Sequence, residues 1–111
     1  MNPSDPNPIN AVNERGMTEL HLAAYHGELE WATNCIEAGF DVNARDRDGY
    51  TPLHWVADMS MVDGEREEVA LALLRAGTDT TAVNALGETP YQTAIRAEGH
   101  YMAKLIGNYA T

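Results

Sequence analysis

The residues of this chain best suited to chemistry are its histidines and its single cysteine. His21 and His54 lie 33 residues apart, and histidine commonly serves as a metal ligand or as a general base. Cys35 could act as a nucleophile only if a paired base and a positive environment stabilised its thiolate. No neighbour in the sequence supplies either, so an enzyme that uses Cys35 or His26 is the least favoured interpretation.

The stretch Asp46-Arg-Asp48-Gly49 resembles part of a calcium-binding loop. In that register the first and last ligand positions of the loop fall on Ala44 and Trp55, which cannot ligate calcium. The stretch is therefore interpreted as a turn. No phosphate-binding glycine loop, zinc-protease helix or nucleophile elbow occurs in the sequence, so we expect no metal, no cofactor and no enzymatic activity.

The elements that position these residues repeat along the chain. Residues 16–24 recur as residues 49–57, shifted by 33, and again as residues 87–95, shifted by a further 38. The middle copy is therefore the same unit with five additional residues, which lie between Met59 and Glu65. A period of this length is typical of proteins that stack similar units.

Each unit predicts two helices joined by a loop, because helix start and stop signals recur at the same places. Threonines occupy the N-cap position of the first helix, and in two units a proline follows at the first helical position: Thr18, Thr51, Thr89, Pro52 and Pro90. Gly39 and Gly77 are expected to end the second helix as left-handed C-caps. We expect first helices over residues 19–26 and 52–59, and second helices over residues 29–38, 67–76 and 101–109.

The repeat divides the chain into four parts. An N-terminal extension with half a turn covers residues 1–12, and two full units cover residues 13–45 and 46–83, the second with the five-residue insertion. A C-terminal capping unit covers residues 84–111.

The pattern closely resembles the ankyrin repeat. The second unit carries Asp46-Arg-Asp-Gly49-Tyr-Thr51-Pro52-Leu53-His54, and the first continues with Gly39-Phe-Asp41-Val42-Asn43-Ala44. The resemblance implies an all-α ankyrin-repeat solenoid of three helix–turn–helix units with short hairpin-like turns. It also implies that His21 and His54 are structural, with ring nitrogens that hydrogen-bond near the threonine cap and across to the neighbouring turn.

Composition narrows the classes of partner. Seventeen acidic against seven basic residues give a formal charge of −10, which disfavours binding to nucleic acid and to anionic membranes and favours a protein partner with a basic surface. One cysteine excludes an intramolecular disulfide framework. The sequence has no long apolar run and no signal-peptide pattern, so we expect a cytoplasmic protein.

The residues expected to bind a partner fall in two regions. Proteins that resemble ankyrin repeats usually bind through their turn tips and the exposed faces of the first helices, and residues 58–68 add an acidic, partly apolar loop that carries the insertion. The candidates are Tyr25, His26, Arg45, Arg47, Asp48, Tyr50, Asp58, Met59, Met61, Val62, Asp63 and Glu65. Trp55 is expected mainly to pack, and Trp31 to belong to the core.

The leading hypothesis is a non-catalytic protein-binding module that occludes a basic partner, as an inhibitor or immunity-type protein would. A general adaptor or assembly chaperone is the alternative within the same class. A nucleic-acid mimic that fills a nuclease groove is a further possibility, and two chains could pair through the uncapped N-terminal unit.

Overall fold

The computed structural model describes residues 12–58 and 64–110. These residues form six α-helices and no β-strand: α1 Glu19–His26, α2 Leu29–Glu37, α3 Pro52–Ala57, α4 Gly64–Arg75, α5 Pro90–Arg96 and α6 His100–Ala110. The helices pack in consecutive pairs, and equivalent helices of neighbouring pairs lie side by side. The all-α repeat fold expected from the sequence is confirmed.

The first helix of each pair begins with the same capping box. A threonine side chain accepts a hydrogen bond from the backbone N–H three residues on, and the side chain at that third position accepts one from the threonine N–H. The three threonines are Thr18, Thr51 and Thr89, as expected. Pro52 and Pro90 occupy the first turn, where the missing N–H has no partner to lose.

Two helices have bounds that differ from the prediction in an informative way. Helix α3 ends at Ala57, two residues early, while α4 begins at Gly64, three residues before the expected Glu67. The end of the insertion therefore belongs to a helix and not to a loop. Gly39 and Gly77 follow α2 and α4 with φ of +95° and +90°, which glycine adopts without steric cost.

The core lies between the two rows of helices. Its largest side chains are almost entirely inaccessible to solvent: Leu20, Leu53, Leu73, Met102 and Ile106. Small buried alanines on α1, α3 and α5, at positions such as Ala23, Ala57 and Ala94, let the first helices approach each other closely. Burial of aliphatic surface between pairs is the main source of stability in such a stack.

Each pair is preceded by a turn of the same design. The Oδ1 atoms of Asn13, Asp46 and Asn84 accept hydrogen bonds from the N–H groups two and four residues on. Backbone hydrogen bonds also connect successive turns, one of 2.9 Å from Arg47 N–H to the Arg15 carbonyl and one of 2.8 Å from Ala85 N–H to the Asp48 carbonyl. The turns therefore form a continuous row along one side of the stack.

Candidate functional site

His21 and His54 connect neighbouring units. The Nδ1 atom of His21 accepts a hydrogen bond from Thr18 N–H at 3.0 Å, so its Nε2–H is the donor to the Tyr50 carbonyl at 2.8 Å. His54 makes the same contacts with Thr51 and with the Glu88 carbonyl. Burial lowers the pKa of both rings, which keeps them neutral. Both nitrogens of each ring are engaged, as the structural role requires.

Cys35 is buried in α2 with 5% of its surface exposed. Burial, with the nearby negative charge of Glu19, raises the pKa of its thiol to about 11. A thiol of this kind is protonated at neutral pH and is a poor nucleophile. Within residues 12–58 and 64–110, no group of three or more histidine, cysteine, aspartate or glutamate side chains could hold a metal ion.

Aromatic side chains cluster on the exposed side of α1 and α3, with Trp31 of α2 beside them. Tyr25 lies edge-on to Trp55 with ring centres 5.4 Å apart, and His26 stacks on Trp31 at 6.3 Å. Tyr25 is 42% exposed, whereas Trp31 and Trp55 are half-buried. Trp31 packs against the core, and both tryptophans use their indole N–H, toward Glu19 and Asp46 respectively.

A groove opens beside these rings. It has a volume of about 200 Å³ and lies between the first turn, the exposed side of α1 and the ring of Trp55; its main lining side chains are Arg15, Met17, Leu22, Tyr25, His26 and Trp55. Tyr25 and His26, two of the expected binding residues, are thus brought together. Arg15 and Met17 of the first turn tip, a region also expected to bind a partner, line the same groove.

Tyr50 was expected to be exposed at a turn tip, and this is wrong. Only 8% of its surface is accessible to solvent. Its hydroxyl donates a 2.6 Å hydrogen bond to Asp58, and burial together with this bond raises the pKa of Tyr50 to about 12. Asp58 also pairs with Arg96 at 3.3 Å, and Arg96 pairs with Glu88 at 2.6 Å. Contact with Arg96 lowers the pKa of Glu88. Asp58 therefore belongs to a network of hydrogen bonds and ion pairs within the protein that links Tyr50, Arg96 and Glu88.

The remaining candidates at the second turn are on the surface. Arg45, Arg47 and Asp48 are all exposed, and the Arg45 guanidinium donates to the Val83 carbonyl. The first two turns carry three acids and three bases and are formally neutral: Glu14, Arg15, Arg45, Asp46, Arg47 and Asp48. The turn tips thus contribute little to the net charge of the protein.

The start of α4, directly after the insertion, is where the prediction and the described structure differ most. Met59, Met61, Val62 and Asp63 lie outside the described residues. Glu65, expected in an acidic loop, lies in the first turn of α4, where its Oε1 accepts a hydrogen bond from Leu29 N–H at 3.0 Å. This carboxylate caps the start of α2, whose own N-cap residue makes no side-chain hydrogen bond.

Arg66 completes this connection. Its Nη1 donates to the Tyr25 carbonyl at 3.0 Å, and its side chain covers Gly27, where an added Cβ would come within 2.8 Å of the arginine Cγ. Glu65 and Arg66, which we call the clamp, thus hold both sides of the loop between α1 and α2. That loop follows directly after Tyr25 and His26. Arg66 was missed as a functional residue, although it is the single base among the acids of residues 58–68.

Most of the net charge of the described residues, −5 of −8, lies where the second helices begin. Glu30 and Glu68 are exposed at equivalent positions of α2 and α4, and Tyr101 at the equivalent position of α6 hydrogen-bonds to Glu67, which raises the pKa of Tyr101. Six carboxylates and one guanidinium in this region give a formal charge of −5: Glu28, Glu30, Glu65, Arg66, Glu67, Glu68 and Glu98. We call this region the acidic edge.

Family models for the ankyrin repeat match residues 4–55 and 48–85 of the chain. The repeated capping boxes, the histidines between units and these matches agree, and the chain belongs to the ankyrin-repeat family. No helix among the described residues is both long enough and apolar enough to span a bilayer.

Several curated proteins share this similarity. Protein phosphatase 1 regulatory subunit 12A of Mus musculus is 39% identical over 79 residues, which cover 71% of this chain and 7% of that protein. Protein phosphatase 1 regulatory subunit 27 of Mus musculus is 32% identical over 82 residues, 74% of this chain and 50% of its own length. Human Rabankyrin-5 is 34% identical over 101 residues, 85% of this chain and 9% of its length. The matched region therefore spans half or less of each relative. The family and these relatives support a protein-interaction module.

Proposed function

We propose that this protein is a non-catalytic binding module that docks its acidic edge on a basic protein surface and occludes it, as an inhibitor or immunity-type protein does. The observation that carries the proposal is the uneven charge: the acidic edge has a formal charge of −5, while the first two turn tips are neutral. A concentrated field of one sign steers a partner of the opposite sign and raises the association rate.

The names of two relatives support a regulatory role. Both are called regulatory subunits of protein phosphatase 1, so those proteins act on an enzyme that is a separate chain. By analogy, the partner proposed here is an enzyme or toxin whose basic surface the module covers. A general adaptor or assembly chaperone is the alternative, and it would leave the partner's activity unchanged on binding.

The proposal can be tested with matched charge variants. The immobilised chain would capture partners from native lysate for mass spectrometry, in parallel with Glu30→Gln/Glu68→Gln at the acidic edge and Glu37→Gln/Asp41→Asn elsewhere on the surface. Both pairs remove two exposed acids, so the change in net charge is the same and its position differs. A partner retained by the second variant and lost by the first is the expected result.

Association kinetics with the purified partner then test the electrostatic part. The association rate should fall steeply between low and physiological salt, because the Debye length shrinks from about 30 Å at 0.01 M to about 8 Å at 0.15 M. A rate that does not change with salt would refute steering by the acidic edge. Inhibition of the partner's activity at one-to-one stoichiometry would favour occlusion over an adaptor role.

Three further proposals are independent of this one. Pairing of two chains through the N-terminal unit predicts a concentration-dependent mass in analytical ultracentrifugation. The nucleic-acid mimic predicts that DNA competes with the protein for the same partner. A cytoplasmic location predicts recovery with the soluble cytosolic fraction after cell fractionation.

A further inference from the structure

The groove beside Tyr25 has walls and a rim of different chemistry. The rings of Tyr25 and Trp55 stand almost perpendicular, at 84°, and with the aliphatic side chains of Met17 and Leu22 they line the apolar part of the groove. The indole N–H of Trp55 is held by Asp46 at 2.8 Å. Trp55 therefore offers this space its carbon surface and no unsatisfied donor.

The rim of the groove, in contrast, offers donors. Within the described residues, the Arg15 guanidinium, the Tyr25 hydroxyl and the His26 ring nitrogens make no hydrogen bond or ion pair. Asp46, the buried acid of the next turn, accepts from Trp55 and from two backbone N–H groups. The rim therefore offers one guanidinium that no described carboxylate pairs with, on a protein whose formal charge is −10.

Its size restricts what can enter. Pockets that enclose a whole small molecule usually measure about 300–1,000 Å³, and this groove has about 200 Å³. It accommodates one large side chain and the group next to it. Its walls and rim also contain tryptophan, tyrosine and arginine, the residue types that most often dominate binding at protein interfaces.

We propose that this groove binds an extended segment of a partner protein in which a large apolar side chain is followed directly by an aspartate or glutamate. The apolar side chain packs against the Tyr25 and Trp55 rings, over Met17 and Leu22, and the carboxylate accepts charge-assisted hydrogen bonds from Arg15. The clamp positions the Tyr25 wall, because Arg66 holds the Tyr25 carbonyl at 3.0 Å. This inference rests on the proposed function as a binding module, but none of the residues that line the groove belongs to the acidic edge.

The test selects peptides from a random library of 12-residue segments displayed on phage, with the full chain immobilised. We expect enrichment of sequences with an apolar residue followed by an acid, and loss of at least tenfold in affinity, equivalent to about 1.4 kcal/mol, for Arg15→Gln and for Tyr25→Ala. Both residues are exposed, so the variants should fold. Arg75→Gln and Tyr109→Ala are the matched controls on exposed residues of α4 and α6, and they should stay within twofold.

Synthetic versions of the enriched peptide show whether the carboxylate that Arg15 binds is an acidic side chain or the C-terminus of the peptide. Replacing the acid by glutamine should weaken binding about as much as Arg15→Gln does, and the two changes together should add little more. Tighter binding of a peptide that ends at the apolar residue, with a free terminal carboxylate, would refute the internal carboxylate.

The same selection separates failure of this inference from failure of the proposed function. Enrichment of basic peptides whose binding survives Arg15→Gln and Tyr25→Ala but is lost in Glu30→Gln/Glu68→Gln would overturn the groove and support the acidic edge. Absence of any enriched peptide would overturn the groove as well, and it would leave the acidic edge to be judged by the capture experiment.

Discussion

Replacing Glu98 by glycine is expected to stabilise the protein. Glu98 is the only residue other than glycine with a positive φ among those described, at +63°. It holds the same place between α5 and α6 that Gly27 holds between α1 and α2, where φ is +68°. In both loops the following N–H donates back to the first helix, Glu28 to the Ala23 carbonyl and Gly99 to the Ala94 carbonyl. The two loops share one geometry, and only the first has the residue that adopts it freely.

The expected magnitude follows from two opposing effects. The left-handed conformation costs a residue with a Cβ about 1–2 kcal/mol, and glycine avoids this cost in the folded state. Glycine also gains freedom in the unfolded chain, which offsets about 0.4–1 kcal/mol. The net increase in the free energy of unfolding should be about 0.5–1 kcal/mol, which corresponds to a rise of roughly 2–5 °C in Tm for a domain of this size.

Urea denaturation followed by circular dichroism measures the change, and the same substitution elsewhere is the control. Glu68 is also an exposed glutamate, but it lies inside α4, so Glu68→Gly should lower the free energy of unfolding by about 1 kcal/mol. Opposite signs for the two variants are expected. A loss of stability in Glu98→Gly would show that the positive φ carries no steric cost here.

Three other predictions concern the histidines, the clamp and the cysteine. Since burial lowers the folded-state pKa of His21 and His54 below 6.5, their contribution to stability is complete above about pH 6.5 and is lost as pH falls below it, at up to about 1.4 kcal/mol per pH unit for each ring. Urea denaturation between pH 5 and 7 should show this slope, reduced in His54→Gln; equal slopes for the two proteins would contradict it. Arg66→Met should lower the free energy of unfolding by about 1 kcal/mol and speed amide exchange at Gly27, whereas unchanged exchange there would argue against the clamp. Cys35, with its pKa near 11, should react with a thiol reagent far more slowly in the folded protein than in urea, and equal rates would mean that the thiol is accessible.

Local signals predicted most of the fold. The three threonines and two prolines fixed the starts of α1, α3 and α5, because capping and the proline φ are decided by the residues themselves. The bounds of α1 agree with the prediction at both ends. The start of α4 does not, because an insertion counted from the repeat period was taken to be loop, although Glu65, Arg66 and Glu67 are good helix formers.

The position of Tyr50 could have been predicted from the repeat itself. Tyr50 aligns with Met17, which is also buried, and its carbonyl accepts the hydrogen bond from His21. A side chain at this position therefore turns back into the stack in both units. The pairing of Asp58 with Arg96 follows similarly from the repeat, since these residues of opposite charge occupy equivalent positions of neighbouring units.

The clamp could not be predicted in this way. It joins α4 to a loop of the preceding unit through residues that the other units lack, and its geometry depends on how far the insertion extends the helix. The groove depends on the same packing, because Arg15, Tyr25 and Trp55 come from three different elements. No spacing in the sequence places these three side chains together.

The clamp also limits how freely the units of this protein could be exchanged. In a regular repeat array each unit meets its neighbour through the same surfaces, so units can be duplicated, deleted or grafted with little penalty. Here the second unit carries the carboxylate that caps Leu29 and the guanidinium that covers Gly27 in the first. Recombination that separated the two would leave the start of α2 without the Glu65 cap and the Tyr25 carbonyl without the Arg66 hydrogen bond. The first two units are therefore expected to be inherited, and to be engineered, as one block.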